Sequence, residues 1–143
     1  MAILVRRRRP VELEPLAQAA RRELAAGRAL LSVVTIAELL VGARDTKGRI
    51  RLQRLLESFA VTPVDEELAY LAGRLGSYAR RRGTLIPLPD LLIAATAVRL
   101  GIPVLTSDGD FDRGKQAAAM DQTPDTDAQL WRSLQIHPAG RAG

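Results

Sequence analysis

The sequence contains no cysteine and only one histidine, His137, among its 143 residues. Without cysteine there is no disulfide framework, no thiolate nucleophile and no cysteine metal cluster. A single histidine, in a segment that also contains proline and glycine, excludes a zinc site built from several imidazoles. Any chemistry must therefore rely on carboxylates, hydroxyls, amides, lysine and arginine.

Aromatic residues and long apolar runs are also scarce. Aromatics make up 3% of the chain, which argues against a nucleic-acid platform built on stacked bases. No apolar run is long enough to span a bilayer. In "MAILVRRRRP" the charge follows a short apolar stretch, whereas in a secretory signal it precedes a long one. These features predict a cytoplasmic protein without a membrane segment.

Acidic residues are fewer than basic ones: the chain has 16 Asp and Glu and 21 Lys and Arg, which gives a net charge of +5. Residues 1–28 hold seven arginines against three glutamates. A basic balance favours a polyanionic partner, nucleic acid first, although codon bias also enriches arginine.

Short apolar strands alternate with amphipathic helices along most of the chain. This alternation predicts one α/β domain over residues 1–143 with a mostly parallel sheet. After residue 113 the pattern fades, so we expect residues 114–143 to be an irregular segment, with loop or frayed helix over 114–129 and a short final strand within 130–136. The predicted strands are 28–34, 60–64 and 102–107, and the predicted helices are 11–26, 35–42, 49–59, 65–83 and 89–101.

Three acids lie where predicted strands end or helices begin. Glu38 follows the strand "LLSVV", Asp90 opens "DLLIAATA", and Asp108 closes "IPVLTS". Sites in parallel sheets form at the carboxyl ends of strands. Each acid also has a structural alternative. Glu38 could complete a capping box with Thr35, Asp90 could be a helix N-cap, and Asp108 could belong to an Asp-Gly turn.

Converging carboxylates without other ligand types fit the hard cations Mg²⁺ and Mn²⁺, which prefer oxygen donors. Such an ion polarises a phosphodiester and lowers the pKa of an attacking water. A basic surface around an acidic, metal-loaded pocket is typical of nucleic-acid cleavage. A phosphoryl-transfer enzyme is a weaker alternative, because the chain has no G-x-x-x-x-G-K-[ST] phosphate loop.

The segments "LLSVVTIAELLVGA" and "PLPDLLIAATAVRLGIPVLTSDGDF", with the helices between them, resemble PIN-domain ribonucleases. The similarity is greatest to the VapC-type toxins of bacterial toxin–antitoxin pairs, and it runs from about residue 11 to residue 113. It implies a three-layer α/β/α sandwich, Mg²⁺ or Mn²⁺, cleavage of RNA, homodimers and inhibition by a small antitoxin of the VapB type.

The resemblance also assigns residues. It makes Glu38, Asp90 and Asp108 three of the family's four metal-site acids, and Asp110 a possible additional ligand. Thr106 would help to orient the site by hydrogen bonding, whereas Asp112 is expected to be a surface residue.

The fourth acid of the family is missing. Family members open with an apolar strand followed by Asp, but here "MAILV" is followed by Arg6–Arg9, and no acid precedes Glu12. In one alignment "AILV" is the first strand, with Arg in place of Asp. In the other, which we prefer, "AILV" ends the first helix, the first strand is absent and the chain is an N-terminal truncation. Either alignment predicts weakened metal binding.

Two functions from different classes therefore compete. The leading hypothesis is a metal-dependent endoribonuclease toxin. The alternative is a nuclease-dead module of the same fold that binds RNA or an antitoxin. In that alternative Arg6–Arg9 and Arg80–Arg82 would contact phosphates, although a solvated helix end is the favoured interpretation of Arg80–Arg82.

Overall fold

The protein is described from a computed structural model that covers residues 2–4, 22, 26, 29–106 and 109–138. Its strands are β1 (Ala2–Leu4), β2 (Ala29–Ser32), β3 (Ala60–Thr62), β4 (Val104–Thr106) and β5 (Ile136–Pro138). Its helices are α1 (Val33–Val41), α2 (Thr46–Leu56), α3 (Glu66–Arg81), α4 (Leu88–Leu100), α5 (Asp110–Ala119) and α6 (Thr126–Ser133).

The described strands form one sheet in the order β3-β2-β1-β4-β5, and every pairing is parallel. β1 lies at the centre, with Ile3 in register with both Leu30 and Val104. The preferred expectation that the first strand is absent and "AILV" ends a helix is therefore wrong. An apolar run this short does not distinguish strand from helix by its periodicity, and its two strand partners are distant in sequence.

Side chains alternate between the two faces of the sheet, as the period of a strand requires. Leu30 and Val104 join a core with α3, α4, α5 and α6. Their neighbours Leu31 and Leu105 join a second core with α1 and α2. Helices therefore cover both faces, which confirms the predicted α/β/α sandwich with a parallel sheet. Its extent as one domain over residues 1–143 stays a prediction.

Most of the predicted elements between residues 28 and 107 are confirmed, with boundaries shifted by a few residues. Helix α3 has Glu66 and Glu67 in its first turn and Arg80 and Arg81 in its last turn, which complements the helix dipole at both ends. The predicted helix 11–26 lies almost wholly outside the described residues.

The prediction of an irregular segment over 114–143 is wrong, because α5 and α6 occupy much of it. These helices are short and only modestly apolar, so packing rather than propensity stabilises them. Trp131 of α6 is fully buried, and its indole Nε1–H donates to the Leu75 carbonyl of α3 at 3.0 Å. A final strand does form, but later than expected within 130–136, because α6 covers residues 130–133 and β5 spans Ile136–Pro138.

A buried carboxylate, Asp121, joins the end of α3 to the loop before α6. It accepts hydrogen bonds from the Thr123 hydroxyl at 2.7 Å and amide at 2.9 Å, and from the Tyr78 hydroxyl at 2.8 Å. Arg82 forms an ion pair with it. The Thr123 donors first, then Tyr78 and Arg82, hold the pKa of Asp121 well below its ordinary range.

Candidate metal site

Glu38 lies in the second turn of α1, which follows β2 without a loop. The helix is capped by Ser32, a buried residue whose hydroxyl accepts from the Val34 amide at 3.2 Å. A capping box requires its Glu three residues after the cap, and that position is held by Thr35. The capping-box interpretation of Glu38 is therefore wrong, because the helix begins two residues before Thr35.

Asp90 is the third residue of α4 and is only 4% exposed. The N-cap of α4 is Pro87, and no side chain caps this helix. Proline fixes the backbone for helix entry and has no amide hydrogen to satisfy, so the helix begins without an Asp cap. The N-cap interpretation of Asp90 is therefore wrong as well.

Glu38 and Asp90 lie on helices that contact each other, α1 and α4. One oxygen of each carboxylate, Glu38 Oε1 and Asp90 Oδ2, is buried and receives no hydrogen bond within the described part of the protein, although both side chains have other interactions. Burying carboxylate oxygen is unfavourable unless a cation or donors compensate for lost water. The donor chemistry of this pair fits a hard divalent cation.

Asp108 falls outside the described residues. The described residues closest to it in sequence are Thr106, which ends β4 and is buried, and Gly109. Within residues 2–4, 22, 26, 29–106 and 109–138, no group of three or more His, Cys, Asp or Glu could hold a metal ion. The described part of the chain therefore supplies one buried acid, Asp90, and one half-buried acid, Glu38, at this place.

Asp110 is the first residue of α5 and forms an ion pair with Arg113 one turn later. Arg113 also donates to the Leu85 carbonyl at 3.4 Å. An arginine beside Asp110 competes with a cation for its oxygens. Asp112 is exposed, as expected.

Strand β1 distinguishes the two alignments of the acid that the resemblance leads us to expect near the N-terminus. This central strand ends at Leu4, and Val5 and Arg6 come next, with no acid before Glu12. The alignment with Arg in place of Asp is the one that agrees with the sheet.

The basic segments differ in whether their side chains form ion pairs with acids. Arg82 pairs with Asp121, and Arg81 approaches Asp125 and Asp127 at 3.8 Å, which disfavours phosphate binding there. Arg6–Arg9 lie outside the described residues. Sequence reasoning overlooked a third group of basic residues, on α2: Lys47, Arg51 and Arg54. Their spacing of four and three residues indicates that they share one face of the helix.

Comparisons with known proteins agree with this architecture. A family model described as PIN domain matches residues 9–116. Ribonuclease VapC5 of Mycobacterium tuberculosis (strain ATCC 25618 / H37Rv) is 39% identical over 100 residues, which is 66% of this chain and 74% of that protein. No helix in the described part of the chain is long and apolar enough to cross a membrane.

Solved structures extend the comparison. A member of the VapBC family of toxin-antitoxin systems, VapBC-5 from Mycobacterium tuberculosis, matches with a TM-score of 0.54 and 31% identity, over 78% of this chain and 82% of that one. FitAcB from Neisseria gonorrhoeae matches with a TM-score of 0.63 over 95% and 96% of the two chains. At 24% identity this second likeness shows the fold alone.

Proposed function

The chain belongs to the PIN domain family, and on that premise we propose that it is a metal-dependent endoribonuclease, the toxin of a toxin–antitoxin pair. The observation that carries the proposal is a pair of acids on contacting helices, the buried Asp90 and the half-buried Glu38, each with one buried carboxylate oxygen, after both of their capping explanations fail. The names of the relatives support the reaction class, since VapC5 is a ribonuclease.

In this proposal Glu38, Asp90 and Asp108 hold Mg²⁺ or Mn²⁺. Asp110 is a weaker candidate ligand because Arg113 pairs with it. The ion, when bound, polarises the phosphodiester and makes the attacking water more acidic. The chain's own contribution is positional, because α1 and α4 fix two carboxylates and the burial of Asp90 keeps bulk water away from it.

The missing acid after β1 limits this activity. β1 is the central strand, so the chain leaves its carboxyl end beside the ends of β2 and β4, yet the first residues there are Val5 and Arg6. We expect weak metal binding and slow cleavage. The same observation favours a second candidate function, a nuclease-dead module that binds RNA or an antitoxin without cleaving.

The partners follow the same premise. We expect an RNA substrate, a small antitoxin of the VapB type and a homodimer, all in the cytoplasm. The solved relative VapBC-5 is described as a toxin-antitoxin system, which supports the antitoxin.

The test is cleavage of total bacterial RNA by the purified chain, with and without Mn²⁺ or Mg²⁺. The variant Asp90→Asn removes a buried ligand with little change of shape. The matched control Asp112→Asn makes the same change at an exposed site. Metal-dependent cleavage that Asp90→Asn abolishes and Asp112→Asn retains is the expected result. Cleavage by Asp90→Asn at the wild-type rate would refute the site, and RNA binding without cleavage would select the second function.

A further inference from the structure

Three basic residues of α2, Lys47, Arg51 and Arg54, form a stripe on its outer face. Their spacing of four and three residues places them on one side of the helix. All three are exposed, while Leu56 on the opposite side is buried in the second core. We call these three residues the α2 stripe. Its charge faces solvent because the apolar side of the helix packs on the sheet.

The α2 stripe has no acid partners among the described residues, which distinguishes it from the paired arginines Arg74, Arg81, Arg82, Arg99 and Arg113. In the part of the chain that the structure describes, none of its members forms an ion pair. Some other arginines are paired with acids, as in the pairs Arg74–Asp127 and Arg99–Asp65. The paired arginines serve the fold, and the stripe leaves three positive charges available to a ligand.

The acids nearest to the stripe in sequence do not neutralise it. Asp45 is the N-cap of α2 and accepts from the Gly48 amide. Glu57 is the C-cap residue at the other end of the helix. Arg44 and Arg49, also exposed, add to the positive charge. The local excess of positive charge attracts a polyanion.

The α2 stripe lies on the helix that contacts α1, the helix of Glu38. β2 and β3 are parallel, so the chain between them must return from the carboxyl edge to the amino edge. α1 starts directly at the end of β2, and α2 ends three residues before β3. Helix α2 follows α1 after four residues and packs on it, and α1 carries Glu38.

We infer that the α2 stripe binds the phosphate backbone of single-stranded RNA and leads the strand towards Glu38 and Asp90. The inference rests on the proposed function and names the surface that holds its substrate. From Lys47 to Arg54 the helix rises by about 10 Å. At about 3.4 Å per phosphate along a stacked strand, this length matches roughly three phosphates. The contacts are to the backbone, so they contribute affinity rather than sequence preference.

The test measures binding of a fluorescent, mixed-sequence single-stranded RNA by anisotropy, in EDTA, over a range of NaCl concentrations. The stripe variant is Lys47→Gln/Arg51→Gln/Arg54→Gln. The matched control, Arg74→Gln/Arg80→Gln/Arg81→Gln, removes the same charge from exposed residues of α3. Thermal melts verify that both fold, and the single variant Arg51→Gln serves if the triple does not.

We expect the stripe variant to reduce the slope of log K against log salt by about 2, since each phosphate contact to a single strand contributes roughly 0.7. Arg51→Gln alone should reduce it by about 0.7. The control should keep the wild-type slope. Equal losses in both triple variants, or no loss in the stripe variant, would overturn the inference. So would a stripe variant that still binds RNA but has lost binding to polyglutamate, which would indicate an acidic protein partner.

Cleavage separates this inference from the proposed function. In an active chain the stripe variant should raise KM and leave kcat unchanged, because the stripe holds the RNA backbone and supplies none of the proposed metal ligands. A wild-type chain that binds RNA as described but never cleaves would refute the proposed function and uphold the stripe. If the wild-type chain cleaves RNA and the stripe variant has an unchanged KM and salt slope, the proposed function is upheld and the role of the stripe is refuted.

Discussion

Replacement of Gly114 by alanine should destabilise the protein although alanine is the better helix former. Gly114 is buried in α5, opposite the indole ring of Trp131. A methyl group at this position would lie 2.6 Å from Trp131 Cε3 and closer still to two neighbouring ring atoms. Carbon atoms pack at about 3.5–4.0 Å, so the ring would have to move by roughly 1 Å.

Three free-energy contributions decide the outcome. The gain in helix propensity from Gly to Ala is about 1 kcal/mol. Overpacking of a filled core costs about 1–3 kcal/mol. Moving the indole also strains its hydrogen bond to the Leu75 carbonyl, a bond with a net contribution of about 1 kcal/mol. The net expectation is a destabilisation of roughly 1–3 kcal/mol.

The assay is thermal unfolding of the purified chain, with Gly73→Ala as the control. Gly73 is exposed in α3, and a methyl group there would have no neighbour within 4 Å. We expect Gly114→Ala to lower Tm by on the order of 3–10 °C, and Gly73→Ala to raise it by about 2–3 °C. A Gly114→Ala protein with a raised Tm would refute the packing of Trp131 on α5.

Two further predictions concern a buried acid and a missing one. Because hydrogen bonds place the folded pKa of Asp121 below its ordinary value of 3.8, its stabilisation is complete above that value and is lost as the pH falls through the folded pKa. In Tm measurements from pH 7 to pH 3, Asp121→Asn should be less stable than the wild type at pH 7, and its Tm should fall less on acidification. Wild-type and variant curves of Tm against pH that run parallel would contradict this. The variant Arg6→Asp, which restores an acid after β1, should tighten Mn²⁺ binding in calorimetry by about tenfold or more. Even mutation of a residue that only hydrogen-bonds to a metal ligand typically lowers metal affinity by about 10–100-fold. Arg9→Asp carries the same charge change farther along the chain, and equal gains from both variants would show a general charge effect.

Local sequence patterns explain why the sequence left a structural alternative open for both Glu38 and Asp90. Thr35 and Glu38 have the spacing of a capping box, and Asp90 follows a proline as an N-cap would. Both alternatives fail for one reason, which is that the N-cap of each helix lies three residues before the residue that the pattern indicates, at Ser32 instead of Thr35 and at Pro87 instead of Asp90. The cap of α1 is Ser32, a residue that reads as part of a strand until the end of β2 is known.

The sequence by itself determined the features that depend on neighbours along the chain. The alternation of apolar strands and amphipathic helices predicted the α/β class, because periodicity reflects burial on one side of each element. The acids and arginines at the two ends of α3 marked its length. The order of the motifs around Glu38, Asp90 and Asp108 identified the family before any contact was known.

The tertiary structure decided what depends on partners far apart in sequence. β1 has three residues, too few for a periodic signal, and it exists as a strand because β2 and β4 pair with it on both sides. The helices α5 and α6 form because Trp131 packs against Gly114, a contact that no local pattern encodes. Short elements owe their stability to contacts across the fold rather than to propensity. For that reason the centre of the sheet and the C-terminal helices were the parts that sequence reasoning misjudged.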